Sequence, residues 1–313
     1  MSLALLFPGQ GSQAVGMGHE LARRYPVAAR TFEEADEILG VPLSRIMWEG
    51  PAEELVLTRN AQPAILVHSV AAFRVAKELA PEKIGAPAMA AGHSLGEFSA
   101  HVAAGTLLFL DALGAVRLRG ELMYAAGQSR EGAMAALLGL EDAEVERVCR
   151  EASSPSGDEV CVPANFNTTG QVVISGDTAA VHRAMEGAKA AGAKRAVLLE
   201  VSGAFHSPLM LPAEEGLRQR LEGLTFHASD FPVVSNVTTG PVPDGIGARD
   251  LLVRQLTSPV RWSESIATML DSGVDRFVEL GPGAVLCGLN RRNAKGFDCV
   301  SLGEPDAMEA FST

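Results

Sequence analysis

Gly92-His93-Ser94-Leu95-Gly96 lies between a short run of small apolar residues, Ala88–Ala91, and a small-residue helical pattern, Phe98–Ala104. Its Gly-x-Ser-x-Gly spacing is that of a nucleophile elbow, where a serine rides a sharp strand-to-helix turn. Such a turn strains the serine backbone and crowds the positions two before and two after it. Glycine at both removes the Cβ atoms that would collide. The stretch therefore predicts an α/β layer with a strand at Ala88–Ala91, a helix after it and Ser94 at the junction. The competing reading is a tight turn with an incidental serine.

Outward from the elbow, short apolar runs alternate with longer helical patterns, as in an α/β domain. Leu3–Phe7 reads as a buried strand. Helices are predicted at Ala28–Leu39 (stopped by Gly40), at Pro63–Ala80 (ended by Pro81) and at Asp111–Ala126 with Asp111 as N-cap. From Gly132 the order changes: strand Met134–Leu138, helix Ala143–Glu151, strands Val160–Ala164 and Gln171–Ser175, helix Ala179–Ala191 and strand Ala196–Val201. That β-α-β-β-α-β order is the split ferredoxin-like unit, read as an insertion at 131–198 in a core made of 1–130 and 199–313. Phe231–Asn236 and Arg276–Leu280 resume as strands, with a helix near Ser263–Asp271 and a sharp turn at Gly281-Pro282-Gly283 leading towards a C-terminal helix.

The 313 residues, 47% apolar and 20% charged, suit a soluble domain with a sizeable core. The formal charge of −12 disfavours a nucleic-acid or anionic-membrane binder. The apolar N-terminal run stops at Pro8, too early for a signal peptide, and stretches such as Val102–Leu110 are too short to span a bilayer, so a cytoplasmic location is expected. Cys149, Cys161, Cys287 and Cys299 carry no Cys-x-x-Cys or Cys/His spacing and read as buried free thiols, without a metal or redox role.

A serine needs a base. Among the seven histidines, His68, His101 and His182 fall in helical patterns, and His93 precedes the serine, a position expected to point away from its pocket. His206 follows a predicted strand in the loop Gly203–Pro208, the kind of place that carries functional groups, and is the candidate base. Gly9-x-Gly11-x-x-Ala14 matches a dinucleotide fingerprint, but the region where that fold needs a strand ending in an acid, Phe32–Asp36, reads as helix. The glycine-rich turn suits an oxyanion hole equally well, with backbone N–H groups from Gln10 and Leu95. Arg119 shares an apolar helical stripe with Ala112, Val116, Met123 and Ala126. A buried arginine needs an anion, whether a structural carboxylate or one carried by a ligand.

Taken in order, Phe7–Gln13, Gln62-Pro63-Ala64, Gly92–Glu97, Arg119-Gly120 with Met123, Gly203–Ser207, Gln255-Leu256-x-x-Pro259-Val260 and Glu279-x-Gly281-Pro282-Gly283 resemble the malonyl-CoA:acyl carrier protein transacylases, from residue 7 to about 290. The resemblance implies an α/β-hydrolase-like core with a ferredoxin-like insertion. It implies Ser94 as nucleophile, His206 as base, the Gln255 backbone carbonyl as orienter of that base, and Gln10 and Leu95 as oxyanion donors. It also implies that Arg119 holds the malonyl carboxylate, that Gln62 and Met123 belong to the pocket, and that Phe205 limits room for a 2-methyl branch. Malonyl-CoA and the phosphopantetheine thiol of an acyl carrier protein are the implied partners in a ping-pong transfer serving fatty acid synthesis, with no cofactor and no metal. Rival readings are a trans-acting acyltransferase of a polyketide pathway, a serine thioesterase or hydrolase, and a non-catalytic carrier-binding scaffold. Arg261, Arg291, Arg292 and Lys295 are candidates for meeting an acidic carrier, against the simpler reading of solvated surface charge.

Overall fold

The computed structural model describes residues 2–313. Nine strands form two sheets: β1 (Leu3–Phe7), β2 (Met89–Gly92), β3 (Gly132–Leu138), β4 (Cys161–Thr168), β5 (Gln171–Asp177), β6 (Arg195–Leu198), β7 (Val233–Val234), β8 (Arg276–Glu279) and β9 (Asp298–Ser301). The first sheet has the order β7-β2-β1-β8-β9 and is parallel throughout. Residues 4–7 of β1 and all of β2 are buried, as expected for strands covered by helices on both faces. The second sheet, β4-β5-β3-β6, is antiparallel and carries the ferredoxin-like strand order. It has its own apolar core, including Leu137, Val145, Ile174 and Val181. The fold is thus the expected α/β core with a separate antiparallel sheet, tied together where Phe166 N–H donates to the Val260 carbonyl and Val260 N–H to that of Ala164.

Register brings the site together. Phe7 of β1 pairs with Gly92 of β2, and Ala91 of β2 with Val234 of β7. The segments that leave the C-terminal ends of three adjacent strands, carrying Gln10, Ser94 and Asn236, therefore emerge along one edge. That edge is where open parallel sheets bind ligands.

Several predicted elements shift for identifiable reasons. The helix expected from Pro63 begins at Thr58, with Pro63 inside it. Pro63 has no N–H for the Arg59 carbonyl, and Arg117 Nη1 supplies that bond instead at 3.0 Å. The helix expected from Asp111 starts at Phe109, so Asp111 lies in the first turn rather than at the N-cap. β4 runs to Thr168, through part of the segment read as turn. The strand expected at Phe231–Asn236 is only Val233–Val234, because Asn236 turns its amide under the elbow. β9 and the helices His19–Arg24, Leu43–Glu49, Leu211–Glu222, Gly245–Arg254 and Pro305–Ser312 are not among the elements that the sequence patterns predict. Cys287, on the helix Val285–Asn293, is joined to Cys299 of β9 by a disulfide, which corrects the free-thiol reading for that pair; Cys149 and Cys161 are free and buried. No helix is long and apolar enough to cross a membrane among the described residues.

Candidate active site

The elbow forms as its spacing requires. Ser94 has φ of 52°, and the helix Gly96–Ala103 begins two residues later. A Cβ on Gly92 would lie 1.8 Å from the carbonyl carbon of Gly96, and one on Gly96 would lie 2.1 Å from the Phe7 carbonyl oxygen. Neither position admits a side chain. His206 also has positive φ, 56°, in the loop after β6.

Ser94 Oγ donates to His206 Nε2 at 2.8 Å, and His206 Nδ1 donates to the Gln255 backbone carbonyl at 2.8 Å. This arrangement selects the tautomer whose Nε2 lone pair faces the serine. Burial, and then the Arg119 guanidinium, push the His206 pKa down to about 3, so the imidazole is neutral and free to accept a proton at neutral pH. A serine hydroxyl held this way can lose its proton as it attacks a carbonyl. Gln10 and Leu95 line the same cavity of about 380 Å³, and the backbone N–H of each donates to no described residue. The amino end of the helix that follows Ser94 adds positive potential beside it.

Arg119 is 1% exposed. Its Nη1 donates to Gln62 Oε1 at 2.6 Å, and its Nη2 to Ser94 Oγ at 3.2 Å and to Gln255 Oε1 at 3.1 Å. None of these acceptors is a carboxylate, and Nε has no partner. Burial lowers its pKa to about 10, partly offset by Glu97, which leaves it charged at neutral pH. Of the two anions open to it in the sequence, the structural carboxylate is absent from its hydrogen-bond shell. Gln62 donates back to Met123 Sδ at 3.3 Å, and Met123 and Phe205 line the cavity.

Three residues differ from their sequence reading or escaped it. His93 does not point away: it lines the cavity and its Nε2 donates to Asn167 Oδ1 at 2.9 Å, linking the elbow to the antiparallel sheet. Asn236 Oδ1 accepts the Ser94 N–H at 2.7 Å, and its Nδ2 donates to the Gly92 carbonyl at 2.7 Å. Glu97 is fully buried, and its Oε2 accepts from Gln255 Nε2 at 2.6 Å and from the Asn236 N–H at 3.1 Å. Burial raises its pKa to about 7 against those hydrogen bonds and Arg119. The signal for Glu97 was its place one residue past the elbow's second glycine, a position where a charged side chain must enter the core.

A parallel α/β core that sets a serine on a strand-to-helix elbow against a neutral histidine is the architecture of the α/β serine acyl-transfer enzymes. The chain belongs to the acyl transferase domain family, which matches residues 4–307. It is 47% identical over 307 residues to the malonyl CoA-acyl carrier protein transacylase of Escherichia coli K12, covering 98% of this chain and 97% of that one. The crystal structure of an acyl carrier protein S-malonyltransferase from Vibrio cholerae superposes with a TM-score of 0.94 at 45% identity, covering 99% and 100% of the two chains. A malonyl-transacylase solved in complex with its type II PKS acyl-carrier protein gives 0.93 at 42% identity, covering 99% and 98%.

Proposed function

We propose that this protein transfers the malonyl group from malonyl-CoA to the phosphopantetheine thiol of an acyl carrier protein, through a malonyl ester on Ser94. Ser94 Oγ attacks the thioester carbonyl as its proton passes to His206 Nε2, and the N–H groups of Gln10 and Leu95 receive the developing oxyanion. The C–S bond breaks and CoA leaves with the proton from His206. The carrier thiol then gives its proton to the same nitrogen, attacks the ester and regenerates Ser94. The Gln255 carbonyl keeps the imidazole oriented in both halves. Gln62, Met123 and Phe205 shape the acyl pocket.

The single observation that carries this reading is the buried charge of Arg119, with no carboxylate in its hydrogen-bond shell, at 3.2 Å from Ser94 Oγ. A planar guanidinium there can take the free carboxylate of a malonyl ester in a charge-assisted pair, whereas an acetyl group leaves the cation unmatched. A hydrolase of simple esters has no use for it. The division into a core of 1–130 and 199–313 with an insertion at 131–198 belongs to the proposal; it is supported by the antiparallel strands, which all lie between Gly132 and Leu198. A cytoplasmic location and supply of fatty acid synthesis complete it, and nucleic acid has no part.

The test is intact-mass measurement after incubation with malonyl-CoA, for the wild type and for Ser94→Ala. A malonyl adduct on the wild type alone, discharged by holo carrier protein faster than by water, is the expected result. Discharge at the same rate with and without carrier would instead identify a thioesterase.

A further inference from the structure

Glu97 is a carboxyl group in a place that has no evident need of one. It lies fully buried in the first turn of the helix after the elbow, and no cation touches it. Its Oε1 has no hydrogen-bond partner among the described residues. Burying such a group is costly, and an apolar side chain of similar volume would avoid the cost. What the carboxyl does instead is accept, through Oε2, from two residues that hydrogen-bond the main chain of Ser94, one at its N–H and one at its carbonyl.

The first is Gln255. A glutamine amide has a donor end and an acceptor end, and its environment decides which faces where. Oε2 accepts both in the carboxylate and, with the proton on Oε1, in the neutral acid, so it draws Gln255 Nε2 towards itself. Gln255 Oε1 is then left facing Arg119 Nη2 at 3.1 Å. With the amide reversed, its NH2 would face the guanidinium, donor against donor. The same Nε2 donates to the Ser94 carbonyl at 3.0 Å, and the main-chain carbonyl of this residue holds His206. The second residue is Asn236, whose N–H is anchored by Glu97 and whose side chain grips Ser94 N–H and the Gly92 carbonyl.

We propose that Glu97 is a positioning residue for acyl transfer: by fixing the amide of Gln255 and the backbone of Asn236, it holds Arg119, His206 and the elbow in one register. This rests on the transfer reading above. Glu97 touches neither substrate nor reacting atom, and it acts through its two partners.

The experiment compares Glu97→Met, Glu97→Asp and Glu97→Gln with the wild type, measuring melting temperature and the separate rates of malonyl and acetyl loading from the two CoA esters. Met removes the acceptor at similar volume, and Asp keeps the charge but withdraws the acceptor by one methylene. In either one, kcat/KM for malonyl loading is expected to fall at least about tenfold, and the malonyl-to-acetyl ratio to fall with it because Arg119 loses its fixed acceptor. Gln offers an oxygen at the same reach and recovers most of the loss in both quantities. General destabilisation would lower both rates together and leave the ratio intact. An unchanged ratio in a folded Met or Asp variant overturns the proposal. So does a folded Gln variant that loses both quantities about tenfold, which decides the matter even if Met and Asp do not fold. A wild type that is not loaded by malonyl-CoA would instead overturn the transfer reading. The inference about Glu97 would then stand or fall on crystal structures of the Gln variant and the wild type, where a Gln255 amide and Arg119 indifferent to residue 97 would refute it.

Discussion

Arg119 Nη2 reaches Ser94 Oγ at 3.2 Å, so the buried cation touches the hydroxyl proposed to be acylated. In the proposed transfer, selection and reaction are therefore coupled through one hydrogen bond, surrendered when a malonyl carboxylate takes its place. Replacing Arg119 by Ala should lower kcat/KM for malonyl loading by about 100-fold or more while keeping or increasing acetyl loading. Steady-state loading with the two CoA esters measures it, and an unchanged malonyl preference would remove Arg119 from the assignment.

Gln255 contributes by two separable routes. The carbonyl that orients His206 is main chain, and it survives side-chain truncation. The side chain meets Arg119, Glu97 and the Ser94 carbonyl. Gln255→Ala should therefore lose malonyl loading by roughly tenfold or more and acetyl loading much less. Equal losses for both esters would show that the side chain supports the base after all.

The pH profile follows from His206. In the proposed transfer its neutral form accepts the proton, and protonation sets in only as pH falls towards about 3. Loading is thus expected to show no ascending limb from this histidine between about pH 5 and 7. Arg119 is the second cause of the depression, so in Arg119→Ala the limb should move up towards neutrality. Any inflection near 7 in the wild type belongs to Glu97 and should vanish in Glu97→Gln. Profiles with acetyl-CoA as common substrate test this, and a wild-type limb centred near the ordinary histidine value that persists in Glu97→Gln would contradict it.

Stability should carry the mark of Glu97 with the opposite sign to an ordinary paired carboxylate. Its folded pKa, about 7, lies above the usual 4.5, so the folded state binds the proton more tightly. Its contribution to stability is full below about 4.5 and is lost as pH rises through 7, a change of roughly 3 kcal/mol. His68, His101 and His206, all with depressed pKa values, work the other way below 6.5, so the total curve hides the effect. The difference between Glu97→Gln and the wild type isolates it: denaturant unfolding should show the variant gaining on the wild type between pH 5 and pH 8. A constant difference would show that Glu97 does not titrate in that range.

Much of this is legible in the sequence. The glycines around Ser94 announced the elbow, because the Cβ clashes that require them are local. The ferredoxin-like order was readable from alternating apolar periods, and Arg119 stood out as a charge in an apolar stripe. Asn236 was not legible as a site residue, since Ser94, which it holds, lies more than a hundred positions away, and Glu97 was marked only by its place beside the elbow. The shortness of β7 follows from the same cause, because Asn236 leaves the strand pattern to serve the elbow. The start of the helix at Thr58 was hidden by Pro63, whose missing bond is supplied by a side chain from another helix.

The position of β1 has a consequence for how the protein is made. Its neighbours are β2 on one side and β8 on the other, so the strand that leads into the Gln10 turn is synthesised long before the strand β8 that it lies beside. Until residues 276–279 leave the ribosome, one edge of β1 has no partner, whereas the strands between Gly132 and Leu198 can already pair among themselves. The antiparallel sheet is expected to form before β8 is made and the parallel core only after it, leaving an apolar strand edge in need of protection in the interval.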